Sequence, residues 1–277
     1  MSEKKNEISL LKKVLYLVGV LLLFGLLLLL STGIAQLVIA VIGKQMNLEI
    51  TDEELFSISG SFGIIITSTL YAIHAKGKKH TLSKLKGFHI LAGISYILPS
   101  ICICKILIES LSAILFAKIL PVSPVQSVHL TWIDVFMGII ISPIFEELLF
   151  RFGLYHLINR KFSKKVSMVV CTILFSVLHL YNIQGFLSCF GAGIVFSLIY
   201  IKTGHIGYSI LAHIGCNAFS AIMNVLENSN VKLFNIPLQY EMNGYNMFHP
   251  MFIVAAMLIV GIYLRGSLKN GFSRTGS

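Results

Sequence analysis

The sequence predicts an all-α polytopic membrane protein with about eight transmembrane helices, and two observations carry that expectation. Of 277 residues, 56% are hydrophobic and 12% charged, about half the charged fraction of an ordinary soluble domain. Apolar runs of more than about 18 residues recur along the whole length, each long enough to cross roughly 30 Å of hydrocarbon as a helix. A soluble globule is excluded. The net charge of +10 would suggest nucleic acid in a soluble protein. Here Lys and Arg lie between apolar runs, where they read as orientation signals and lipid-headgroup contacts. With no base-stacking motif and no detached basic domain, no nucleic-acid partner is expected. The five cysteines, Cys102, Cys104, Cys171, Cys189 and Cys216, are odd in number and lie in apolar segments. They read as small buried hydrophobes and not as a disulfide framework.

The first run, about Val14 to Gly43, follows Lys12 and Lys13. It is too long for a signal-peptide core and lacks a small-residue cleavage site, so it is expected to stay as a span. The second runs from about Leu55 to Ala75. After it, Thr81 to Phe88 mixes Leu82, Leu85 and Phe88 with Lys84 and Lys86, which suits a short interfacial helix or a solvated loop. The third span lies within Phe88 to Leu120, and the fourth extends from near Trp132 to about Asn159. Four more follow, from about Val166 to Tyr181, Ile183 to Ile201, Ile206 to Leu226 and Pro250 to Leu264.

The third run has room for two short spans broken near Pro99, and charge decides between the readings. With one span there, seventeen of the 22 basic residues fall on one side, among them the cluster Arg160 to Lys165. Only Lys44, Lys118 and Lys232 fall on the other, together with Asp52, Glu53 and Glu54. Connections rich in Lys and Arg face the cytoplasm, so both termini are expected there. The outer connection from Glu227 to His249, with Asn228, Asn230, Pro237 and Gly244, is expected to be irregular. There is no internal repeat and no low-complexity linker, which argues for one integral domain. Within it, residues 1–131 hold the first spans, 132–226 the middle spans that carry the motifs described below, and 227–277 the outer loop, last span and tail. Short connections and the absence of organelle signals point to a bacterial plasma membrane.

Ionisable groups inside spans are costly and are functional candidates unless they pair. Lys105 and Glu109, at i and i+4 in the third span, suit an internal ion pair. In the fourth span, Glu147 and Arg151 are also four apart and can neutralise one another. Glu146 is then left over, projecting about 100° away around the helix. Depth follows from counting. Glu146 lies 13 residues before Asn159 and His179 lies 13 after Val166, so both sit roughly 20 Å from the basic cytoplasmic turn at 1.5 Å per residue. His213 and Asn217 share one face of the seventh span, near the same level. Phe175, one turn before His179, reads as packing that fixes the imidazole. The remaining histidines, His74, His80, His89, His129, His156, His205 and His249, lie at span ends or in loops and read as interfacial.

A carboxylate beside an imidazole in a low-dielectric cavity can take a proton from water and deliver it to a leaving group. Donors at His213 and Asn217 suit the oxyanion that forms when water adds to an amide carbonyl. Peptide-bond hydrolysis is the reaction class this fits. Ser142, Ser176 and Cys216 lie close in sequence, but none has an evident base and orienting acid of its own, which disfavours a covalent mechanism. Glu146, His179 and His213 could also form a two-His, one-carboxylate zinc site. The His-Glu-x-x-His signature is absent, however, and Asn217 is a poor zinc ligand. Metal-assisted and glutamate-based water activation both stay open.

At these residues the chain resembles the CAAX protease and bacteriocin-processing (CPBP or Abi) family of intramembrane endopeptidases. The Glu-Glu-x-x-x-Arg motif stands as Glu146-Glu147-Leu148-Leu149-Phe150-Arg151. Phe-x-x-x-His stands as Phe175-Ser176-Val177-Leu178-His179, and His-x-x-x-Asn/Asp as His213-Ile214-Gly215-Cys216-Asn217. The resemblance implies that Glu146 and His179 activate water, that His213 and Asn217 stabilise the oxyanion, and that Glu147 and Arg151 support the first motif. It also implies a membrane-associated or lipidated peptide or protein as substrate. The family includes bacterial relatives linked to bacteriocin maturation, self-immunity or regulation of sensor kinases, so a non-proteolytic regulator binding another membrane protein is the alternative. A transporter using the carboxylates as a proton relay is disfavoured by the missing repeat.

Overall fold

A computed structural model of the chain describes residues 2–47, 50–76, 89–109, 111–112, 136–180, 183–228, 232–233, 236–237 and 254–262. The first two runs form α1 (Ser2–Gln45) and α2 (Asp52–Lys76). The third comprises α3 (Ile90–Ile94), α4 (Ile97–Ile101) and a π-helical segment, Cys102–Ile108. The fourth is a continuous helix that alternates between windings: π at Met137–Ile141, α5 (Ser142–Glu147), π at Leu148–Leu154, then α6 (Tyr155–Ile158). Then come α7 (Lys164–Leu178), α8 (Ile183–Thr203) and α9 (Ile206–Asn228), and residues 254–262 of the last run are helical.

Among the described residues four helical stretches are long and apolar enough to cross a membrane: Ser9–Gln45, Ile90–Ile108, Gly185–Thr203 and Ile206–Met223, with Ile58–Tyr71 a shorter apolar helix. In the third run the helical stretch continues past Pro99 to Ile108. The helix turns at Ser95 and Tyr96, where Pro99 supplies no N–H for the Ser95 carbonyl. The fifth run is shorter than expected. Helix α7 has 15 residues, a rise of about 22 Å, and ends at Leu178 instead of Tyr181. A second departure is an antiparallel pairing after α9, Lys232–Leu233 against Ile236–Pro237, a short exception to the helices of the other described residues. The expected interfacial segment 81–88 and most of 227–249 lie outside the described residues, as do His80, His129 and His249. None of the five cysteines is in a disulfide.

The chain divides into two compact units, the first Met1–Lys86 with Ile140–Cys171, the second Gly87–Ile139 with Thr172–Ser277. The expected core segment 132–226 therefore contributes to both. In the first unit α1 and α2 meet through small and hydroxyl residues, the usual solution where lipid offers no hydrophobic drive between helices. The Ser31 hydroxyl donates to the Gly63 carbonyl at 3.0 Å, so Thr67, 2.8 Å away, donates to Ser31. A Cβ on Gly63 would lie 3.1 Å from the Thr32 Cα; only a glycine allows that approach. In the second unit Gly215 abuts Ile97 and Gly191 abuts Ile108, bringing α4 against α9 and the Cys102–Ile108 segment against α8. Cys104, Phe196, Ile199, Ala212 and Cys216 form the core there. Lys105 pairs with Glu109 at 2.6 Å, and Ser188 donates to the same carboxylate oxygen at 3.0 Å. The intramembrane charges of this span are satisfied within the unit, as their spacing predicts.

Candidate functional site

The first motif belongs to the first unit, on the helix that changes winding around it. Pro143 lies inside this continuous helix, just after its first π segment, so its missing N–H takes one backbone donor from the carbonyls of the preceding turn. The chain passes into the π segment immediately after Glu147. Such interruptions are rare and often mark functional positions. Arg151 Nη1 donates to Glu147 Oε1 at 2.8 Å, and both side chains are almost wholly buried. The guanidinium carbon stands 6.0 Å from the Phe150 ring centre, and Phe150 meets Phe24 of α1 edge-on at 6.1 Å. Tyr16 donates to the Leu157 carbonyl at 2.8 Å. Gly153 admits Tyr71 of α2, whose Cβ would be 2.9 Å from any added methyl. Glu146, one residue before the paired carboxylate, is 7% exposed.

The second and third motifs belong to the second unit. His179 follows the last residue of α7, and its Nδ1 lies 2.8 Å from the Phe175 carbonyl. A carbonyl only accepts, so Nδ1 carries the hydrogen and, in the neutral ring, Nε2 holds the lone pair. The imidazole caps a helix end that has lost its i+4 N–H partner. Phe175 also places its ring 4.6 Å from the His179 ring and 5.8 Å, edge to face, from that of His213. His213, 5% exposed, also stacks on Phe196 at 4.5 Å with 23° between planes. Asn217, one turn on, donates from Nδ2 to the Gly138 carbonyl at 2.9 Å.

The structure thus brings together Glu147 with Arg151, and Phe175 with His179 and His213. The stacking partner Phe196 and the carbonyl of Gly138 carry no sequence signal of their own. One is an ordinary phenylalanine in an apolar run, the other a backbone atom. His205, expected at an interface, is buried at the start of α9, where its Nδ1 accepts from the Gly207 N–H at 3.1 Å. Among the described residues no group of three or more His, Cys, Asp or Glu side chains is gathered to hold a metal ion.

Polar side chains held this way can do acid–base and hydrogen-bond work without a serine or cysteine nucleophile. Comparison with protein families bears on this set directly. Residues 128–219 match the family model of the type II CAAX prenyl endopeptidase, Rce1-like. The matched segment holds all three motifs, and the resemblance read from them is to the same family of intramembrane endopeptidases. The match covers about a third of the 277-residue chain. Comparisons with curated proteins and with solved structures return no match.

Proposed function

We propose that the chain is an intramembrane endopeptidase that hydrolyses a peptide bond of a membrane-associated or lipidated protein through water activated by Glu146 and His179. The observation that carries this reading is the hydrogen bond from His179 Nδ1 to the Phe175 carbonyl. It makes Nε2 the basic nitrogen, the tautomer that a general base requires. Equal residue counts from Glu146 and His179 to the basic turn support pairing the two in this reading. Water attacks the scissile carbonyl carbon and gives its proton to this pair. His213 and the second amide hydrogen of Asn217 donate to the oxyanion. Collapse breaks the carbon–nitrogen bond, and the stored proton passes to the departing amine. Glu147 and Arg151 hold the helix that carries Glu146.

The test compares the membrane peptidome of cells carrying the wild-type chain with that of cells carrying Glu146→Ala or His179→Ala at matched membrane levels. Loss of a general acid–base group slows cleavage by about 10²–10⁴-fold. A peptide terminus should therefore vanish in both variants and return when purified wild-type protein is added. Identical peptidomes, with the biological phenotype kept, would refute proteolysis and favour a regulator that binds another membrane protein.

A further inference from the structure

The two motif histidines of the second unit are joined by rings that the motifs only half describe. His179, Phe175, His213 and Phe196 form one column, with successive ring centres at 4.6, 5.8 and 4.5 Å. Phe196 comes from α8, the helix between the second and third motifs, and is 1% exposed. Its neighbours Cys104, Ile199, Ala212 and Cys216 are buried with it, so it has no room to turn. An imidazole lying nearly parallel on such a ring, with a second ring in an edge contact at 5.8 Å, gives up that stacking when it turns about its χ2 bond. Both ring nitrogens lie in the imidazole plane, so fixing the plane fixes the line along which His213 gives or takes a hydrogen bond. Offset and edge-to-face contacts are also the favoured aromatic geometries.

We propose that Phe196 is a positioning residue for the hydrolysis, setting the imidazole plane of His213 by stacking upon it, with Phe175 in an edge contact to the same ring. This rests on the endopeptidase reading above. Its basis is that an oxyanion donor must be aimed before charge develops, and a misplacement of about 1 Å costs on the order of 10²-fold.

The test separates the ring from the bulk. Phe196→Leu keeps an apolar side chain and removes the aromatic face; Phe196→Tyr keeps the face and adds a hydroxyl to a buried site. Both full-length proteins are reconstituted in lipid nanodiscs, and kcat, KM and Tm are measured on the substrate found by the peptidome comparison. Positioning predicts that Phe196→Leu loses roughly 10–100-fold in kcat at unchanged KM, whereas Phe196→Tyr stays near wild-type kcat despite a lower Tm. If kcat follows Tm across the two variants, Phe196 only fills space and the proposal is overturned. Histidine ring resonances, assigned with His213→Gln, give a readout that needs no activity. The His213 ring signals should be shifted upfield in wild type and Phe196→Tyr and lose that shift in Phe196→Leu. Resonances unaffected by Phe196→Leu overturn the stacking itself. A wild type that cleaves nothing refutes the endopeptidase reading, and the resonances then decide the placement of His213 alone.

Discussion

Arg151→Met tests whether the first motif rests on a water-excluded ion pair. Arg151 Nη1 and Glu147 Oε1 are 2.8 Å apart, with side-chain exposures of 2% and 0%, so neither charge can be hydrated in place of its partner. Removing one member of such a pair costs about 3–5 kcal/mol, because the other is left charged and buried, whereas an exposed pair is worth about 0–1 kcal/mol. Methionine fills much of the arginine volume, which keeps cavity cost small. Replacing both, as Arg151→Met with Glu147→Leu, removes the stranded charge and should lie within about 1–2 kcal/mol of wild type. Pulse proteolysis in detergent across a denaturant series gives the unfolding free energy of all four proteins. The expected coupling is about 3 kcal/mol or more, and wild-type stability should barely change with added salt, since buried pairs are weakly screened. A single mutant within about 1 kcal/mol of wild type, or a double mutant as unstable as the summed singles, would refute the buried-pair reasoning.

Three further outcomes are expected. The Tyr71 hydroxyl is buried and has no hydrogen-bond partner among the described residues. Tyr71→Phe should therefore raise stability by about 1 kcal/mol, and a fall of that size in a thermal melt would reveal an acceptor. Gly215→Val should cost about 1–3 kcal/mol by driving α9 against Ile97; an unchanged melting temperature would contradict the close approach. Asn217→Asp replaces the donor on the Gly138 carbonyl by an acceptor, at a cost of about 1–3 kcal/mol. Asn217→Gln, which keeps the amide, is the control. Equal stability of Asn217→Asp and wild type in the same melt would remove that hydrogen bond from the account.

Local spacing was the legible part of the sequence. Lys105 with Glu109 and Glu147 with Arg151 pair as their four-residue separation predicts, because that separation puts two side chains on one helix face. Long-range apolar runs announced α1, α8 and α9, since only length and hydropathy decide a span. What stayed hidden depends on backbone detail. Nothing in Leu148–Leu154 announces π winding, and nothing in Ile183–Thr203 separates Phe196 from Phe186 or Phe190 as the ring that reaches His213. Helix α7 stops at Leu178 although the following residues, Leu180 and Tyr181, would permit more turns by propensity alone.

The end of α7 also explains why the second motif has the spacing it has. The last carbonyls of a helix have no N–H partners within it and call for another donor. His179, four residues beyond Phe175, puts its ring N–H on that residue's carbonyl, where a continued backbone would have put an amide. The same four-residue step returns the Phe175 ring to the His179 ring at 4.6 Å. One hydrogen bond therefore caps the helix end and selects the tautomer that leaves the lone pair on Nε2. Phe-x-x-x-His is then a statement about a helix terminus, before any chemistry proposed for the imidazole. His179→Asn, a side chain that also serves at helix ends, separates the two roles. It should keep more of the helix's stability than His179→Ala while restoring none of the proton transfer.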